Sequence, residues 1–335
     1  MLGRYAAAMP AVLFAAMTIS ACAQTSLPLP MAASATPLAP VALPAGVTMK
    51  EANWHSEQVR VSGRLFLPAT SGAPEKAGAV VLAPGRGETA ETLDAYAVAL
   101  AREGVAALSI DYRGWGRSGG FLYLGERVQT YDAMRFSEHT PEMVIRRGRV
   151  DPEQQVQDIR NAVTFLQSQS GIDRSRIGVL GLDLAGGHVI SAMGMDARIK
   201  AGAAVTPVIA GASVEMLSFR PDAASRALMI RLARDGAPPR TAAAARIRNA
   251  EESRLAIGEY MPFWRIGAIP ETASIQFIVA GADREIDNTS HALAASRALK
   301  GPSDVQTLPG AGHDFTFEET ARAAGLAAGW FKSKL

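Results

Sequence analysis

The stretch Arg176-Ile177-Gly178-Val179-Leu180-Gly181-Leu182-Asp183-Leu184-Ala185-Gly186-Gly187-His188-Val189-Ile190-Ser191-Ala192-Met193 decides the fold. Its first part is a short apolar run suited to a buried strand, and its last part continues as an apolar helix. Between them, the small residues Gly181 and Ala185 flank Asp183. That spacing predicts a sharp turn in which strand and helix backbones approach closely and the Asp183 side chain is lifted above the end of a sheet.

Outward from this centre, strands alternate with helices. On the amino-terminal side, Val59 to Leu67 reads as an early antiparallel strand, and Ala79-Val80-Val81-Leu82-Ala83 reads as a buried central strand entering the turn Pro84-Gly85-Arg86-Gly87. A helix is predicted over 89–102, then a second buried strand over 105–111 and the loop Tyr112-Arg113-Gly114-Trp115-Gly116-Arg117-Ser118-Gly119-Gly120. Residues 121–150 show no clean period and read as an excursion over the top of the sheet. Asp151-Pro152 then opens a helix whose core stripe is Val156, Ile159, Val163 and Leu166.

On the carboxyl-terminal side, 199–205 is a strand. Residues 207–270 are Ala- and Arg-rich with helical spacing, which predicts a helical lid inserted between two sheet strands. Its arginines could orient an anionic substrate or simply form a solvated helix face. Alternation resumes with a strand over 274–280, a helix over 290–299, a strand over 304–308 and a closing helix over 317–332. The whole predicts one α/β domain over 47–335, a mostly parallel central sheet flanked by helices.

The 335 residues are 48% apolar and carry a formal net charge of +2. Basic residues are dispersed, without tracts interleaved with aromatics, so no nucleic-acid partner is expected. Residues 1–21 read as a secretory signal, with Arg4 followed by an apolar run over 11–19 that is short for a membrane span. Ile19-Ser20-Ala21-Cys22 resembles a bacterial lipobox, and Cys22 is the only cysteine. That resemblance implies cleavage before Cys22 and a lipid anchor on its thiol, placing the protein in the periplasm or at the outer membrane; a soluble secreted form is the alternative. Residues 22–46 are Pro/Ala-rich and read as an extended tether.

Functional groups collect at the carboxyl ends of parallel strands. Here those ends are 84–87, 113–120, Asp183, Gly281-Ala282-Asp283-Arg284-Glu285 and Gly310-Ala311-Gly312-His313-Asp314. The order is nucleophile candidate, acid, histidine. With the motif Asp111-Tyr112-Arg113-Gly114-Trp115-Gly116-Arg117-Ser118, the chain from about Ala79 onward resembles the α/β-hydrolase superfamily, in particular its dienelactone-hydrolase-like and bacterial esterase- or peptidase-like branch. The resemblance implies that Asp283 orients His313 and that backbone N–H groups of Leu184 and Arg86 form an oxyanion hole. Where the family usually has His-Gly, this chain has Pro84-Gly85. Among His55, His139, His188, His291 and His313, only His313 follows a strand in a Gly-rich turn, which favours it as the base. Asp287 and Glu285 compete with Asp283 for the acid role.

The departure that matters most is Asp183 at the position of the family's serine. A carboxylate needs no base to become a nucleophile, and it can attack an sp³ carbon to leave an alkyl ester. His313 would then activate water to hydrolyse that ester. This scheme resembles epoxide hydrolases and haloalkane dehalogenases. The tryptophan that commonly follows the nucleophile in the dehalogenases is Leu184 here, and the lid-tyrosine pair of the epoxide hydrolases has one candidate, Tyr260, with Tyr123 or Tyr131 as possible second members. Trp115, Tyr260 and Trp264 are the candidate substrate-binding aromatics. Two other readings stay open: an esterase scaffold silenced by the replacement, and a ligand-binding protein on the same fold. The expected partner is a small-molecule substrate, and neither a metal nor another cofactor is expected.

Overall fold

The computed structural model describes residues 43–68, 76–124, 143–209, 223–234 and 242–335. The lipobox Cys22, the signal, most of the tether, His139 and Tyr131 lie outside the described residues. Among the described residues there are ten strands: β1 (Thr48–Ser56), β2 (Val59–Leu67), β3 (Ala77–Ala83), β4 (Ala106–Asp111), β5 (Leu122–Leu124), β6 (Met143–Ile145), β7 (Ile172–Leu182), β8 (Ile199–Val205), β9 (Ser274–Ala280) and β10 (Ser303–Leu308). The helices are α1 (Asp94–Arg102), α2 (Pro152–Ser168), α3 (Leu184–Met195), α4 (Ala223–Arg234), α5 (Ala242–Glu259), α6 (Ala292–Ala298) and α7 (Phe317–Lys334).

An eight-stranded sheet runs β1-β2-β4-β3-β7-β8-β9-β10. β1, β2 and β4 pair antiparallel, and every pairing from β4 to β10 is parallel. β3, β4 and β9 are buried almost throughout, as strands covered on both faces must be. One core joins the sheet to α2 and α3 through Val156, Ile159, Val163 and Val189; the other joins it to α1 and α7 through Leu93, Leu100, Ala324 and Phe331. Phe331 lies where a side chain at Gly178 would be, since a Cβ there would stand 2.5 Å from its ring. That glycine lets α7 lie flat on β7.

Three features differ from the sequence reading. β1 was not anticipated; its alternating burial and full register with β2 make it the antiparallel edge. The excursion over 121–150 contains the short antiparallel pair of β5 and β6. The helix predicted over 89–102 begins as a 3-10 turn, Ala90–Leu93, before α1. Between β8 and β9, the predicted insertion carries α4, α5 and a 3-10 helix, Pro262–Ala268. Several of its charges are paired: Glu252 receives Arg146, Arg149 and Arg248, and Glu251 receives Arg231. Among the described residues, no helix is long and apolar enough to cross a membrane.

Candidate active site

β7 ends at Leu182, and the chain turns into α3 through Asp183 at φ 48°, ψ −119°. A non-glycine residue with this backbone is strained, and surrounding structure must hold it there. Asp183 N–H donates to Val205 O at 3.0 Å, while Asp183 O accepts from Gly186 at 2.9 Å and from Val208 at 3.0 Å. Small residues are obligatory around the turn. A Cβ on Gly181 would fall 2.1 Å from Ala185 O, and one on Gly186 would fall 2.4 Å from Pro207 Cβ.

The two carboxylate oxygens of Asp183 have different surroundings. Oδ2 accepts a hydrogen bond from Arg86 N–H at 3.2 Å and lies 3.9 Å from Arg86 Nε. Oδ1 is buried without a hydrogen-bond partner, and His313 Nε2 stands 3.5 Å from it. Burial opposes the charged form of Asp183. His313, the Arg86 charge and the backbone N–H groups of Arg86 and Leu184 outweigh that penalty and hold its carboxyl below the usual range. Both backbone donors inferred for the oxyanion hole therefore face the Asp183 carboxylate.

The acid and histidine turns are stitched together by the backbone: Gly281 N–H donates to Leu308 O and Ala282 N–H to Ala311 O. Asp283 Oδ1 accepts from the N–H groups of Glu285 and Ile286, which fixes the side chain, and Oδ2 lies 2.8 Å from His313 Nδ1. Asp287 instead binds its own turn through Thr289 N–H. The contact with Asp183 raises the His313 pKa to about 9, against the effect of burial and with further help from Asp283. Asp183, His313 and Asp283 thus form one continuous chain in which the two carboxyl groups favour the charged form of the imidazole.

The sequence reading overlooked Glu88. Its Oε2 accepts from Gly85 N–H at 2.8 Å and from the Thr92 hydroxyl at 3.4 Å. It thereby holds the turn that presents Arg86 N–H. Burial first, and then the charges of Asp183 and Asp314, raise its pKa. An acidic residue three positions after a glycine turn was the available signal.

The candidate aromatics are placed differently from one another. Trp115 Nε1 donates to Arg149 O, so its polar edge is engaged. Tyr260 is buried, its hydroxyl donating to Ser191 and lying 2.9 Å from His188 Nδ1 rather than contacting Asp183. Trp264 is exposed on the 3-10 helix. His188, its Nε2 3.0 Å from Gln155 Oε1, is wholly buried, and burial lowers its pKa to about 3. The motif after β4 is a structural bracket. Asp111 accepts from Ala90 and Arg117 N–H groups, and Arg113 forms a buried pair with Asp158. Among the described residues, no group of three or more His, Cys, Asp or Glu could hold a metal ion.

The chain belongs to the alpha/beta hydrolase family, whose model matches residues 80–328. It is 33% identical over 108 residues to an uncharacterized 31.7 kDa protein in the traX-finO intergenic region of Escherichia coli, covering 32% of this chain and 29% of that protein. Among solved structures, hypothetical protein PA2218 from Pseudomonas aeruginosa superposes with a TM-score of 0.63 at 19% identity, covering 88% of this chain and 96% of that one. A dienelactone hydrolase from Anabaena variabilis superposes with a TM-score of 0.53 at 17% identity, covering 87% and 99%. At these identities the structural likeness is one of fold.

Proposed function

We propose that the protein is a hydrolase in which Asp183 attacks an sp³ carbon of a small electrophile, an epoxide or alkyl halide. The observation that carries this reading is the division of labour between the two oxygens of Asp183. Oδ2 accepts a hydrogen bond from Arg86 N–H, while Oδ1 makes no hydrogen bond and faces His313 Nε2 at 3.5 Å. A carboxylate held this way is pre-oriented, its charged form is favoured by its neighbours, and one oxygen is left outside the hydrogen-bond network, as a nucleophile requires.

In the first step, Oδ1 forms a bond to the substrate carbon as the bond to the leaving halide or ring oxygen breaks; halide departs as the anion, and an opened ring oxygen takes a proton from water. An alkyl ester on Asp183 results. Ester formation removes the negative charge that contributes most to the raised His313 pKa. His313 then drops toward the ordinary imidazole range, releases its Nε2 proton to solvent and becomes a base for water, with Asp283 holding Nδ1. Water attacks the Asp183 carbonyl carbon. The former Oδ2 carries the developing charge against Arg86 N–H, and the alcohol leaves with the proton that His313 took from water as the carboxylate is restored.

Trapping the ester tests this. In His313→Gln incubated with styrene oxide or an alkyl bromide, the reading gives an Asp183 adduct visible by intact mass; an unmodified chain in every case contradicts it. We also propose export and lipidation at Cys22, supported by the lipobox-like Ile19-Ser20-Ala21-Cys22. Metabolic labelling with palmitate should mark the wild type and not Cys22→Ala; an unlabelled wild type overturns the anchor.

A further inference from the structure

Arg86 contributes its backbone N–H to Asp183, but its side chain is a separate resource. The side chain is 24% exposed, and its Nε is buried with no hydrogen-bond partner. Its ion-pair neighbour is Asp183 Oδ2, at 3.9 Å, beyond hydrogen-bonding distance. The remaining N–H groups of the guanidinium make no hydrogen bond. By contrast, Arg64 is bound by Asp94, Arg113 by Asp158 and Glu57, and Arg198 by Asp196. A half-buried guanidinium that is ion-paired with Asp183 but makes no hydrogen bond, at the side of that carboxylate, can take a planar anion through two parallel hydrogen bonds from its Nη groups.

We propose that the Arg86 side chain reads a carboxylate on the substrate, so that the site takes electrophiles bearing an acid group close to the reacting carbon. This rests on the Asp183 reading for its reactive carbon, while the anion site itself does not. An in-line displacement sends the leaving atom away from the attacking Oδ1. Arg86 stands beside Oδ2. It therefore meets a substituent next to the reacting carbon rather than the leaving atom. The negative charges of Asp183, Glu88 and Asp314 oppose an incoming anion; the imidazolium of His313 offsets the first, and burial shifts Glu88 toward its neutral form.

The test separates binding from turnover. Calorimetric titration with 3-phenylpropionate and with its amide should show the acid binding the wild type at least about tenfold more tightly than the amide, as a charge-assisted pair gives. Arg86→Gln should remove that preference and Arg86→Lys should keep part of it, with circular dichroism verifying that each variant is folded. In turnover, the kcat/KM ratio of phenylglycidate to styrene oxide should fall about tenfold in Arg86→Gln. Equal binding of acid and amide by the wild type, or a preference that survives in Arg86→Gln, overturns the proposal. An acid preference that Arg86→Gln abolishes, together with no adduct on Asp183, supports the anion site and refutes the nucleophile instead.

Discussion

At the scale of single residues, the chemistry turns on how Asp183 and His313 set each other's protonation. The folded-state pKa of His313, about 9, lies above the ordinary 6.5. Its pairing therefore contributes stability that is fully present below the unfolded value and is lost as pH rises through about 9. His313→Gln should accordingly lower Tm more at mildly acidic pH than above pH 9, an ordering that calorimetry at the two conditions checks. NMR titration should find the wild-type imidazole near 9 and should find it lowered in Asp183→Asn. An unchanged imidazole in that variant would mean that the pair is not coupled. The proposed ester intermediate resembles that variant in charge, so its hydrolysis should rise with pH through the ordinary imidazole range. Glu88 supplies a third test. Glu88→Gln keeps an acceptor for Gly85 N–H and should retain most turnover, whereas Glu88→Ala frees the turn and should reduce kcat by about tenfold or more, the scale of a misplaced oxyanion donor.

At the scale of elements, the elbow between β7 and α3 is where local sequence and local structure agree most closely. Gly181 and Ala185 were legible as close-approach positions from the spacing around Asp183, and the contacts at Gly181 explain why; Gly186, packed against Pro207, joins them only in the structure. Gly181→Ala drives a methyl into the Ala185 carbonyl and should destabilise the fold by about 1–3 kcal/mol in urea, with turnover falling as the Asp183 backbone relaxes. Unchanged stability would mean that the turn is looser than these distances require. Other elements were less legible. β1 carries Lys50, Glu51, Asn53 and His55 among its residues, so its apolar signal is thin; pairing with β2 along its whole length creates it. The antiparallel pair of β5 and β6 is three residues on each side, below the length at which periodicity can be read. Tyr260 and Trp264 illustrate a different limit. Sequence places them on the insertion, but only packing determines that one is buried on His188 and Ser191 while the other faces solvent.

Across the whole molecule, the parallel portion of the sheet brings together groups far apart in the chain. β3 and β7 are neighbours, so the Arg86 turn meets Asp183; β9 and β10 are neighbours, so Asp283 meets His313. This much was readable from the alternation of strands and helices and the order of the polar strand ends. The bracket around it was not. Asp158 sits on α2 and binds Arg113 through both Nε and Nη2, a buried pair joining the strand end to a helix that sequence marked only by its apolar stripe. Asp158→Ala leaves the Arg113 charge buried without that partner and should cost about 3–5 kcal/mol by chemical denaturation, while a cost under about 1 kcal/mol would show the pair to be dispensable. The proposed mechanism has one property that separates it from that of a serine hydrolase on the same scaffold: the enzyme's own carboxylate oxygen enters the product. A single turnover of excess enzyme with an epoxide in heavy-oxygen water measures this directly. The account predicts that the first diol carries an unlabelled oxygen from Asp183 and that the label appears in Asp183 itself by peptide mass; a first diol labelled from solvent, with Asp183 unlabelled, would contradict it.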